Sequence, residues 1–235
     1  MRKPLHPEIE PFPPFAGFPR EGIAFLTALK KNNNREWFHR HKSEYEEYLK
    51  FPMQSFIASL TQPMANIAPE IHVDPLHAMF RIYRDTRFSK DKQPYKTHVA
   101  AVFHHRGHWE ESAGYYVHIE PSSIYVGGGI YMPDSPQLKK LRHAIADRPK
   151  EFLSIVSDDA FVKQFKGFQG EKLQRIPLGF PKDHMMGEWL KYKSFYTGVE
   201  WKEDVCYTPR FVNKVMQVYK GLLPLIRFLN EALGK

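Results

Sequence analysis

Cysteine is almost missing from this chain: Cys206 stands alone among 235 residues. No disulfide can close within the chain, and no cysteine-based metal site can be assembled. Its expected place is as a small buried side chain. Long hydrophobic runs are missing as well. No stretch approaches the ~20 apolar residues of a membrane span, and the opening MRKPLHPEIEPFPPFAGFPR has no continuous apolar centre of the kind a secretion signal needs. The expectation is a cytoplasmic protein with no membrane partner.

The signatures of several chemistries are also absent. No serine–histidine–acid order, phosphate-binding P-loop or paired-carboxylate motif is present. The histidines of HRH (His39, His41) and HHRGH (His104, His105, His108) do not combine i, i+4 spacing with an interposed glutamate, so neither a zinc site nor any other metal or cofactor is expected. There is no internal repeat, no low-complexity tract and no arginine–lysine run of a nucleic-acid-binding tail.

What is present is a folding composition. Apolar residues make up 42% of the chain and aromatic residues 14%, enough for one sizeable core, and a single domain over 1–235 is expected. The net charge of +8 is unevenly spread. Residues 76–110 carry seven basic and three acidic side chains, and 139–235 carry eighteen and eleven, whereas 111–138 have three acidic and no basic ones. A basic excess in two places points to an anionic partner.

Periodicity divides the chain. Residues 1–19, with prolines at 4, 7, 11, 13, 14 and 19, read as an extended arm anchored by Phe12, Phe15 and Phe18. Residues 20–68 read as helical: one helix over 20–31 with Ile23, Phe25, Leu26 and Leu29 on one face, and a second starting at Asn33, whose side chain caps it opposite Glu36. That second helix is broken or re-entered at Pro52. Strands are expected at 77–85, 97–105, 114–120 and 123–131, forming an antiparallel main sheet over 77–131 with a hairpin about PSS. Residues 134–235 read as mainly helical, with helices at 135–147, 149–157, 158–166, 184–192 and 208–232 and one short strand at 195–201. The fold class is α+β, a mostly antiparallel central sheet covered by N-terminal and C-terminal helices.

The densest chemistry lies in FRIYRDTRFSKDKQPYKTH, residues 80–98. On a strand, Phe80, Ile82 and Arg84 point one way and Arg81, Tyr83 and Asp85 the other, so each face sets an arginine among apolar neighbours. Six cations (Arg81, Arg84, Arg87, Lys90, Lys92, Lys96) face two acids, Asp85 and Asp91. Two readings stay open. The surplus holds a phosphate-bearing or other anionic small molecule or nucleotide, with Arg81, Arg84 and Arg87 on the anion, Lys92 and Lys96 adding charge and the aspartates orienting the arginines. Alternatively, the charges staple the loop to the sheet. Tyr95 and His98 are the candidate proton-transfer groups for any reaction; tyrosine or lysine beside arginines is expected to have a lowered pKa. His118 would join them if its strand is adjacent. The glycines of YVGGGIY are read as making room on the sheet for an aromatic ring, a backbone or a ligand.

The run RIYRDTRFSKDKQPY, R-x-x-R-D-x-R-F-x-x-D-K-x-x-Y, resembles the signature of a bacterial domain-of-unknown-function family of similar length. The matching positions are Arg81, Arg84, Asp85, Arg87, Phe88, Asp91, Lys92 and Tyr95. NNNREWF, YKTH and VGGG are also similar to that family's pattern, so the likeness spans most of the chain. The resemblance implies no established reaction, cofactor or catalytic residue. Two alternatives to anion binding follow from the rest of the chain: a nucleic-acid module stacking bases on Trp201, Tyr192 and Phe195, and a protein-interaction domain whose charged motif is structural.

Overall fold

The computed structural model describes residues 12–105 and 109–235; the expectations placed on residues 1–11 and on His108 lie outside them. Phe15 and Phe18 are buried against Phe56 and Phe211, with ring centroids 5.0–6.4 Å apart across the four, so the end of the proline-rich arm contributes to the core. The first helix, α1 (Arg20–Lys31), buries Ile23, Phe25, Leu26 and Leu29.

The second helix, α2 (Arg35–Arg40), starts one residue later than expected. Asn34 is its cap, accepting from the Trp37 amide at 2.9 Å, while Glu36 lies on the surface beside Arg40. Asn33 is thereby released for a different task, described below. After α3 (Lys42–Tyr45) the helical path widens into a π-turn at Glu46–Lys50 and passes into α4 (Phe51–Ile67). Pro52 therefore does not break the helix. It sits in the first turn of α4, where its missing N–H is tolerated. One turn back, the Tyr48 carbonyl approaches α1 so closely that a Cβ on Gly22 would lie 2.5 Å from it. Only glycine permits that crossing.

Among the described residues the sheet has five strands in the order β1 (Ile71–His72), β2 (Val99–His105), β3 (Gly114–Glu120), β4 (Ser123–Ile130) and β5 (Phe195–Trp201). All neighbours are antiparallel. The β3–β4 hairpin turns through Pro121 and Ser122, the latter at φ 71°. Between β4 and β5 come α5 (Ser135–Asp147), α6 (Pro149–Val156), α7 (Asp159–Phe165) and α8 (Gly187–Leu190), and α9 (Arg210–Leu233) closes the chain. α5 opens on a full capping box, Asp134 with Gln137. The fold is α+β.

The expected strand at 77–85 does not form. The segment runs beside β2 through one isolated bridge, Met79 with Ala101, and then folds back on itself, Arg84 N–H donating to Pro94 O at 2.9 Å and Lys96 N–H to Ile82 O at 2.8 Å. The cause is the arginine on each face: only Ala78 and Ile82 are buried here, Met79 is half-buried, and Arg81 and Tyr83 stay exposed, so no continuous face is available to cover.

Alternation along the strands gives the sheet two unlike sides. Phe103, Tyr115, Val117 and Val126 face the helices; the Phe103 and Tyr115 rings lie 6.1 and 4.6 Å from Tyr219 of α9. Gly128 lets that helix close in: a Cβ there would lie 3.2–3.3 Å from the Ile226 and Leu222 methyls. The opposite side carries Tyr116, His118, Tyr125 and Tyr196, none of them fully buried. No described helix is long and apolar enough to cross a membrane.

Candidate functional site

Most charges of the arginine motif are consumed inside its own loop. Arg87 grips Asp85 with Nε at 3.0 and 3.2 Å and a terminal nitrogen at 2.7 Å. Arg84 donates to Asp91 at 2.6 Å, Lys92 Nζ to Thr86 O at 2.9 Å, and Lys96 Nζ to Arg81 O at 2.9 Å. The Arg87 hydrogen bonds pull the Asp85 carboxyl down to about 2. Asp91 is lowered by the Gln93 amide and then by Arg84. The Arg81 side chain has no hydrogen-bond or ion-pair partner among the described residues and points to solvent. Arg84 and Arg87 are thus each engaged by a different acid of the loop, and the Arg81 charge acts on Asp85 as well.

A clamp from the helical layer holds this loop. Asn33 accepts from Tyr95 N–H at 3.0 Å and donates to Tyr95 O at 2.9 Å, reproducing with its side-chain amide the two bonds of a strand neighbour. The Tyr95 ring stacks on Phe38 at 4.1 Å and is 5% exposed. Burial, followed by Tyr83, raises its pKa, opposite to the lowering expected from the nearby arginines. Tyr95 is an anchor of the loop.

On the open side of the sheet lies a cavity of about 470 Å³. Its walls are aromatic: Phe80 and Trp109 on one side, with rings 5.7 Å apart edge to face, and Tyr116, Tyr125, Tyr131 and Tyr196 around the rest. Gly128 and Gly129 contribute small backbone surface. Gly127 and Gly198 leave space for the Tyr125 ring, which would lie 2.7–2.9 Å from a Cβ on either, and the Tyr125 hydroxyl donates to Gln169 at 2.8 Å. The glycines therefore make room for an aromatic side chain, as read from VGGG.

Four polar side chains enter this lining: Lys96, His98, Glu110 and Ser112. The strand that His98 leads into, β2, is adjacent to β3, which carries His118, and His98 stacks face to face on His118 at 4.1 Å. Burial, then His118 and Lys96, pushes His98 down to about 4, and it is neutral at pH 7. His118 is lowered by burial against the opposing pull of Glu120. Its Nδ1 lies 3.1 Å from the Tyr116 hydroxyl and its Nε2 3.7 Å from Glu120, a distance beyond hydrogen bonding. Tyr116 is raised to about 12 by burial. Lys96 is lowered by burial and by Arg81, and its Nζ lies 5.2 Å from the centre of the Phe80 ring.

Of the residues singled out in sequence, the structure brings Lys96 and His98 to this cavity, and Arg84 and Tyr95 to a second depression. That groove, about 680 Å³, runs between α2 and the loop; Arg35, His39, Lys42 and Arg84 line it with one acid, Glu36. Arg81, Arg87, Lys92, Asp85 and Asp91 line neither. Tyr116, Tyr125, Tyr196 and Trp109 were not anticipated, although the alternation in GYYVHIE already sets Tyr116, His118 and Glu120 on one side. The base-stacking expectation is corrected at two residues: Phe195 is fully buried and Tyr192 is 9% exposed, each packed on Phe168. Cys206 is buried, its thiol raised to about 12 by burial.

Compared with known families, residues 21–228 match the model of one described as conserved hypothetical protein (DUF2461). No curated protein and no solved structure matches the chain.

Proposed function

The chain belongs to the conserved hypothetical protein family DUF2461, and from that premise we propose that its open-sheet cavity binds a small organic molecule with a planar body and an oxygen-bearing polar end. The observation that carries this is the lining: seven phenylalanine, tryptophan and tyrosine residues and four polar side chains around about 470 Å³. Ligand sites have this character, concave and mostly apolar with a few convergent polar groups. The planar part lies between Phe80 and the tyrosines, where ring faces and edges offer ~0.5–1.5 kcal/mol per aromatic contact beyond burial. A carbonyl, carboxylate or phosphoryl oxygen meets Lys96 and His98. The arginine loop acts as the wall that carries Phe80 and Lys96, held by Asn33 and by its own ion pairs.

The test is a thermal-shift screen of planar acids, aldehydes, nucleotides and sugar phosphates on wild type and on Val102→Trp, a change that fills the cavity from β2. A compound that raises the wild-type midpoint and leaves the variant unmoved supports the reading. Equal shifts in both, or no shift with any compound, refutes it.

A second reading follows from the other groove, where four basic side chains meet one acid. Only one terminal nitrogen of the Arg84 guanidinium is committed to Asp91, which leaves donors for an anion. Calorimetry with pyrophosphate at low salt, on wild type and Arg35→Gln, decides it: affinity lost in the variant supports an anion site there, and absence of binding removes it.

A further inference from the structure

We infer that Lys96 is an imine-forming lysine, whose amine adds to the carbonyl carbon of an aldehyde or ketone held in the open-sheet cavity. This deepens the cavity reading and rests on it. The first support is how Lys96 is held: it is half-buried and has no carboxylate partner among the described residues. Its Nζ donates to one neutral group, the Arg81 carbonyl, and lies over the Phe80 ring.

The second support is position. Lys96 and His98 both line the cavity, two residues apart on the chain that leads into β2, so the amine and a proton acceptor share one wall. A half-buried lysine over an aromatic ring, with the Arg81 charge acting on it, is in the environment that makes amines nucleophilic. Burial and Arg81 act in the same direction on it.

The step balances without an external oxidant or reductant. The amine lone pair attacks the carbonyl carbon, and the C=O π electrons move to oxygen. His98, neutral at pH 7, takes a proton from the adduct nitrogen and returns it to that oxygen, giving the carbinolamine. The nitrogen lone pair then expels the hydroxyl, which leaves as water with the second amine proton through the same imidazole. A C=N bond has replaced C=O, and the two amine protons and the carbonyl oxygen have left as one water. Glu110, also in the lining, is a second group able to accept from the adduct.

The test uses the full chain, benzaldehyde and cyanoborohydride at pH 7, with labelled lysines identified by peptide mass spectrometry. Lys96 is expected to label at least ~10-fold faster than surface lysines, and His98→Gln to lower that rate ~100-fold, at the lower end of general acid–base contributions. Val102→Trp removes the excess rate at Lys96 and leaves the other lysines unchanged. Labelling of Lys96 no faster than of surface lysines overturns the inference, and this holds on wild type alone if a variant fails to fold. Benzyl alcohol, which cannot form an imine, separates the two claims. If it stabilises wild type but not Val102→Trp while Lys96 stays slow, the cavity reading stands and the imine fails; if it stabilises neither and Lys96 is slow, both fail.

Discussion

Replacing Asn230 tests how the sheet is tied to α9. Asn230 is 3% exposed; its side chain accepts from Ala113 N–H at 2.8 Å and donates to Ala113 O at 3.1 Å. Ala113 sits just ahead of β3, next to the Ser112 and Gly114 that line the cavity. Both backbone groups are satisfied by one amide from 117 residues away. Asn230→Leu keeps the volume and strands both groups without water. Each unsatisfied buried group costs about 1–3 kcal/mol, so the loss is roughly 2–6 kcal/mol. At ~2–4 °C per kcal/mol for a chain of this size, the melting midpoint falls by roughly 5–20 °C. Urea unfolding of wild type and variant, compared by midpoint at equal slope, measures it. Asn230→Asp sharpens the test. A buried carboxylate accepts but cannot donate to Ala113 O, so its folded pKa rises above the ~3.9 of an unfolded aspartate. The variant then binds more protons folded than unfolded, and its stability falls as pH rises from about 4. A loss below ~1 kcal/mol for Asn230→Leu, or a flat pH profile for Asn230→Asp, refutes the clamp.

Three further outcomes follow from the same geometry. His98 titrates at about 4 folded against ~6.5 unfolded, so its contribution is whole above pH ~6.5 and is lost as pH falls toward 4; His98→Gln should flatten denaturation midpoints across that window, and an unchanged slope counts against a buried neutral imidazole. Asn33→Ala removes two bonds to the Tyr95 backbone and should cost about 1–3 kcal/mol, with faster hydrogen exchange at the Tyr95 amide as its local signature. Arg87→Ala breaks a pair that lies wholly at the surface, so the melting midpoint should stay where it is; a large drop would show that the motif carries the fold after all.

Much of the fold was legible because periodicity reports one-sided burial. The first helix and the strand at 195–201 have the boundaries read from their patterns, and the hairpin forms at PSS. Pattern reading failed where the deciding partner was remote. Asn33 and Asn34 offer the same local chemistry for a cap, and the choice fell to Asn34 because Asn33 is drawn to Tyr95, 62 residues away. The strand at 77–85 failed because hydrophobic alternation alone does not say whether a second face will be covered. At Tyr95, proximity to arginines in sequence suggested a lowered pKa, but ring burial against Phe38 outweighs charges that are themselves paired or facing water.

Composition and local pattern by themselves determined an α+β chain with a large aromatic core, no disulfide, and a charged loop at residues 80–98, because these depend on residue types and on spacings shorter than a turn or a strand. Only the tertiary structure decided where that loop's charges go. It pairs Arg84 with Asp91 and Arg87 with Asp85 while Arg81 faces solvent, and it delivers Phe80, Lys96 and His98 to a cavity whose other walls come from β2, Trp109, β3, β4 and β5. A cavity is made by groups distant in sequence, and its polarity is set by which of them lose water. Neither property can be read from neighbours along the chain.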